Sequence, residues 1–176
     1  MKTLLKFALM LSFVITAHAS DKVVQVTPGL TLDRAVDGDS THQELPDLGL
    51  GSGKFICLWD GDVLNACFLG VFDKFKGSLD DYIEHTKKVI ERGGGVKELV
   101  FTRASRFNNE QGIEINRFDV SVTINEDHSK QYYYTIQTTT GFYSIIVSVP
   151  DVEKFEAIGL RADTLLKSAK LLKKQS

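Results

Sequence analysis

Two stretches decide the class of fold. They are Gln131-Tyr132-Tyr133-Tyr134-Thr135-Ile136-Gln137-Thr138 and, beyond a turn at Thr140-Gly141, Phe142-Tyr143-Ser144-Ile145-Ile146-Val147-Ser148-Val149. The first is rich in aromatic residues, which suit a pleated surface. The second is almost continuously apolar, the pattern of a strand covered on both faces, so it is expected near the centre of a sheet. Strands joined by so short a turn pair antiparallel.

Working outward, Val96 to Phe107 contains the β-prone run Leu99-Val100-Phe101-Thr102. Ile113 and Ile115 set one alternation, and Phe118, Val120, Val122 and Ile124 continue it with the phase slipped by one. That slip predicts a bulge near Asn116-Arg117. Asn125-Glu126-Asp127-His128 reads as a turn. Further upstream, Ser78 reads as a helix N-cap, with Asp80 and Asp81 where the helix dipole favours negative charge. Leu79, Tyr82, Ile83, Thr86, Val89 and Ile90 follow at helical spacing, and Gly93-Gly94-Gly95 closes the helix. Downstream, Pro150 stops the apolar strand and Asp151 opens a second helix. Phe155, Ile158, Ala162, Leu165, Ala169 and Leu172 form one apolar stripe about five turns long. Lys54 to Trp59 and Ala66 to Val71 read as a hairpin. The order hairpin, helix, antiparallel strands, helix defines an α+β fold: an antiparallel β-sheet with two main helices packed on it.

The N-terminus carries an address. Lys2 and Lys6 precede an uncharged, mostly apolar run from Phe7 to Thr16, and Ala17-His18-Ala19 supplies a small-residue cleavage site. This is the pattern of a secretory signal peptide over residues 1–19. It is too short for the roughly 20 apolar residues that cross a bilayer, and no other segment approaches that length, so stable membrane insertion is not expected. Residues 20–53 read as an irregular N-terminal arm, though Val23 to Val26 suits a short strand, and residues 54–176 as the α+β domain. The expected location is the periplasm or outside the cell.

Charge narrows the partners. The chain has 21 basic and 23 acidic side chains, and loss of Lys2 and Lys6 with the leader deepens the negative balance. Nucleic acid and anionic membrane surfaces want the opposite sign. The two cysteines, Cys57 and Cys67, flank the turn of the expected hairpin. They read either as a cross-strand disulfide or as two buried free thiols. Their spacing is not that of a C-x-x-C redox motif.

No catalytic constellation is legible. After the leader, the histidines are His42 in the arm, His85 in the first helix and His128 in a charged turn; no serine has a G-x-S-x-G setting. All three read as surface imidazoles. Zinc wants local Cys or His clusters, which are missing. Asp33, Asp37, Asp39, Asp60 and Asp62 are a thin case for calcium: in a loop counted from Asp37, His42 and Leu48 stand where glycine and glutamate are needed. No cofactor or metal is expected. Tyr132, Tyr133 and Tyr134 must face both sides of their sheet, because side chains alternate. One of them exposed would make an interface, whereas core packing explains the run equally well.

The segments Tyr132 to Ile136, Gly141 to Pro150, Phe155 and Leu165 to Leu171 resemble the closing hairpin and helix of the PsbP-like and DcrB-like superfamily. The helix over 78–92 is similar to one that those proteins also carry. The resemblance runs in order and texture over residues 54–172. It implies a curved antiparallel sheet with helices on its faces and mostly non-enzymatic roles, as extrinsic photosystem II subunits, partners of a small GTPase, or bacterial envelope proteins. A signal peptide brings this chain nearest to the last group. Three functions are carried forward: an exported, non-catalytic binding or accessory protein of the cell envelope, with an envelope protein as partner, acting through a sheet face or edge; a carrier of a small apolar ligand; and a hydrolase with a dispersed active site joining His42, His85 and acidic residues.

Overall fold

The computed structural model describes residues 23–27, 29–33, 41–44, 55–60, 63–92, 94–149 and 152–172. The signal peptide expected over 1–19 lies outside them. In chain order come β1 (Val23–Thr27), β2 (Leu30–Asp33), β3 (Thr41–Glu44), β4 (Phe55–Asp60), β5 (Val63–Asp73), α1 (Leu79–Arg92) and β6 (Val96–Asn108). Then follow β7 (Glu114–Ile124), β8 (Asp127–Thr138), β9 (Gly141–Ser148), a 3-10 turn at Val152–Lys154, α2 (Phe155–Lys167) and β10 (Lys170–Leu171). One seven-stranded sheet has the order β3-β4-β5-β9-β8-β7-β6, and a three-stranded sheet has the order β1-β2-β10. Every pairing among the described strands is antiparallel. The apolar β9 takes the middle place of the large sheet, as its composition requires.

At the centre of that sheet both faces are buried, by different means. On one, Tyr132, Tyr134, Ile136, Ile145, Val147 and Phe68 pack against α2 and against Val26, Leu30 and Leu32 of the small sheet. On the other, Phe118, Val120, Tyr133 and Phe142 pack against Tyr82 and Ile83 of α1. The N-terminus of α1 is capped as its sequence demands. The Ser78 amide and hydroxyl donate to Asp81 Oδ2 at 3.1 and 2.6 Å, and the Asp81 amide donates to Ser78 Oγ at 3.2 Å. Those Ser78 hydrogen bonds hold the Asp81 carboxyl below its usual range. Gly94 and Gly95 follow the helix at φ +83° and +77°, where a Cβ would be strained.

Three expectations need correction. The arm over 20–53 contains β1, β2 and β3, and Val26, Leu30 and Leu32 are fully buried or nearly so. β1 passes so close to β5 that a Cβ on Gly70 would stand 2.5 Å from the Val26 carbonyl oxygen. The second helix stops at Lys167, short of the five turns its stripe suggested. Ser168 ends it: its hydroxyl donates to the Leu165 carbonyl at 2.6 Å and accepts from the Asp33 amide at 2.9 Å. Lys170 and Leu171 then pair with β2. Finally, β7 keeps its phase. Ile115 belongs to the α2 side and Phe118 and Val120 to the α1 side, so the apparent slip marks a strand passing from one core to the other. The register shift lies in β6, between Arg103 and Ser105, across from Phe118 and Arg117.

Among the described residues no helix is long and apolar enough to cross a membrane.

Candidate functional site

The tyrosine run belongs to the core. Tyr132, Tyr133 and Tyr134 are 0%, 4% and 0% exposed, which contradicts the expectation of an exposed tyrosine interface. Alternation sends Tyr132 and Tyr134 to the α2 side and Tyr133 to the α1 side. Tyr132 stacks on Phe155 at 4.0 Å between centroids and donates its hydroxyl to the Phe155 carbonyl at 2.6 Å. Gly159 is the helix residue that admits this ring, since a Cβ there would stand 2.5 Å from the Tyr132 hydroxyl. Tyr134 donates to Asp163 Oδ1 at 2.7 Å. Arg117 bridges Asp163 Oδ2 at 2.9 Å and Asp119 Oδ1 at 3.1 Å, with its guanidinium 4.3 Å from the centre of the Tyr132 ring. This group fastens α2 to the sheet, with one guanidinium held between two carboxylates.

On the α1 side the buried polar contacts are neutral. Tyr133 donates to Ser144 Oγ at 2.9 Å, and the Tyr82 hydroxyl lies 2.9 Å from the same oxygen. Tyr82 and Phe142 stack at 4.1 Å. Burial pushes the Tyr132 hydroxyl up to about 12 and raises those of Tyr133 and Tyr134 further. None of the three is poised for proton transfer near neutral pH.

His85 and His128 have separate local partners. His85 Nε2 lies 3.8 Å from Asp73 Oδ2 and its ring stacks on Phe75 at 5.0 Å, while His128 Nδ1 contacts Thr123 Oγ1 at 3.2 Å in the β7–β8 hairpin. His42 sits on β3 opposite Leu58, its side chain outside the described residues. Asp37, Asp39 and Asp62 lie outside them too. Among the described residues no three His, Cys, Asp or Glu side chains are placed to hold a metal ion. Cys57 and Cys67 stand directly opposite one another in the β4–β5 ladder.

Of the two edge strands of the large sheet, β3 and β6, β6 is the longer. β6 is 13 residues long and pairs with β7 alone among the described strands. An edge of this kind presents backbone donors and acceptors that another strand can take up. Register shifts at Val96/Glu98 and Arg103/Ser105 bracket a regular run, Glu98 to Arg103. Its two faces differ. Leu99 and Phe101 turn to the α1 core, where Lys87 lies 5.9 Å from the Phe101 ring centre and Arg103 pairs with Asp80 at 2.9 Å. Glu98, Val100 and Thr102 are exposed and face Thr123, Ser121 and Asp119 across the ladder. Val100 is 43% exposed. At the first shift and beyond the second, charges lie in pairs, Lys97 with Glu126 at 3.4 Å and Arg106 with Glu114 at 3.5 Å. The sequence marks this strand as β-prone, but its edge position depends on the order of seven strands, which no local pattern encodes.

A scan of protein-family models finds no match, and no curated protein matches. Among solved structures, the chain is similar to cyanobacterial PsbP from Synechocystis sp. PCC 6803, with a TM-score of 0.56 and 9% identity over 88% of this chain and 98% of that one. A Pseudomonas aeruginosa protein of unknown function, PA94, aligns at a TM-score of 0.46 and 13% identity, over 77% of this chain and 99% of that one. The fold is PsbP-like, an antiparallel α+β architecture. At such identity the likeness concerns the fold alone.

Proposed function

We propose that the chain is an exported, non-catalytic binding or accessory protein of the cell envelope, and that it acts by accepting an extended segment of an envelope protein along β6. The observation that carries this reading is the long free edge of β6, with a regular run of six residues between two register shifts. Strand addition takes its affinity from main-chain hydrogen bonds and its selectivity from alternate side chains. Here the selecting side chains would be Glu98, Val100 and Thr102. The shifts and flanking charges also discourage indiscriminate edge-to-edge pairing, which favours a particular partner over aggregation. Export is supported by the three-part leader over 1–19. The acidic balance speaks for a protein partner over nucleic acid. The aromatic rings that suggested an apolar-ligand carrier stack on one another, Tyr132 on Phe155 and Tyr82 on Phe142. Of the two histidines named for a dispersed hydrolase, His85 lies beside Asp73 and its ring stacks on Phe75.

Crosslinking in the native envelope, followed by mass spectrometry of what is attached, tests the reading. One reproducible protein adduct mapping to β6 is expected. A chain that stays alone, or that turns over ester, phosphate or peptide substrates after purification, would overturn it.

A further inference from the structure

We propose that Cys57 and Cys67 are joined by a disulfide that staples β4 to β5. The supporting juxtaposition is one of backbone register. Cys57 is opposite Cys67, and the ladder continues through Leu58 opposite Ala66 to Asp60 opposite Val63. Opposed residues on antiparallel strands have Cα atoms about 4.5 or 5.5 Å apart, depending on the type of pair. Both separations fall within the ~4.4–6.8 Å that a disulfide spans. A slip of one residue would set Cys57 against Ala66 or Phe68, so the native register is also the one that permits the bond.

Position gives the bond a purpose. β3 has β4 as its neighbour in the sheet, and β4 reaches the central β9 through β5. A bond between β4 and β5 therefore secures the whole β3–β4 side of the sheet. The chain has two cysteines in all, so each has the other, a second copy or a small thiol as its alternatives. The spacing is that of a structural bond rather than a C-x-x-C exchange motif. Formation needs a disulfide-bearing thiol oxidant, of the kind that exported compartments maintain. One cysteine thiolate attacks the oxidant's S–S bond, and the second displaces the resulting mixed disulfide. The Cys57–Cys67 bond forms as the oxidant's breaks, and two electrons and two protons end on the oxidant's two sulfurs. The proposal rests on the export reading for its oxidant and on nothing about β6.

The test is to express the chain with its own leader in a Gram-negative host, collect the exported form, and alkylate it under denaturing conditions without reductant. The expected result is a monomer that takes no alkyl group and is about 2 Da lighter than its reduced form, having lost two hydrogens. Reduction should then expose two alkylatable thiols and lower the Tm by about 5–10 °C. A Cys57→Ser/Cys67→Ser double variant should be insensitive to reductant. Exported chain with both thiols alkylated, or a covalent dimer, would overturn the disulfide while leaving the β6 reading intact. Should the chain be retained in the cytoplasm, oxidised glutathione added to the purified protein should close the same bond. Two stable glutathione adducts without closure would overturn it. An oxidised chain without an envelope partner would sink the β6 reading alone.

Discussion

β8 and β6 belong to the same sheet, with β7 between them, and they live in opposite environments. β8 carries five consecutive buried residues, Tyr132 to Ile136, on both faces. β6 carries none that is fully buried over thirteen residues, and one of its edges is free among the described strands. The contrast separates two jobs. Stability is held at the centre, where aromatic rings and matched hydrogen bonds join helices to sheet. The proposed contact falls at the edge, where side chains can change at small cost to the fold.

The sharpest way to break that comparison is to empty the centre. Tyr132→Ala removes a fully buried ring stacked on Phe155 and should cost about 3–5 kcal/mol, read by denaturant unfolding. A loss below 1 kcal/mol would place the core elsewhere. Gly159→Ala should cost about 1–3 kcal/mol, because its Cβ would stand 2.5 Å from the Tyr132 hydroxyl and that crowding outweighs alanine's better helix propensity. Raising the pH probes the same rings. Burial lifts the Tyr132 hydroxyl to about 12 and those of Tyr133 and Tyr134 further, while the unfolded chain titrates near 10. The native state therefore keeps protons that the unfolded state has shed. Stability should be intact below about pH 10 and fall between pH 10 and 12 and beyond. A Tm that stays flat to pH 12 would show the rings to be solvated. The smallest effect on folding belongs to the edge: Val100→Lys should change stability by no more than about 0.5 kcal/mol, since the site is 43% exposed. The same substitution should abolish capture of the envelope partner.

Much of this contrast was legible in the residues themselves. Capping at Ser78, helical spacing from Leu79 to Ile90 and the apolar run Phe142 to Val149 specify their elements through local chemistry alone. The misreadings share one cause, which is that burial has two sources here. Ala169 continues the helical stripe yet lies beyond the helix, because the short β10 that follows buries its own flank against β2. Ile115 and Phe118 look out of phase because each serves a different core. Leu30 and Leu32 sit in a polar neighbourhood of the sequence, and their packing in one core with β8, β9 and α2, far along the chain, explains their burial. The edge status of β6 is of the same kind, a product of strand order.

The account's central claim is that β6 meets a partner, and a photo-crosslinking residue placed at Val100 tests it most directly. Leu160 on α2, 69% exposed and remote from β6 in the sequence, serves as the control position. Irradiated in the native envelope, the chain labelled at Val100 should give one discrete protein adduct and the chain labelled at Leu160 none. Equal labelling from both positions, or none from Val100, would contradict the claim.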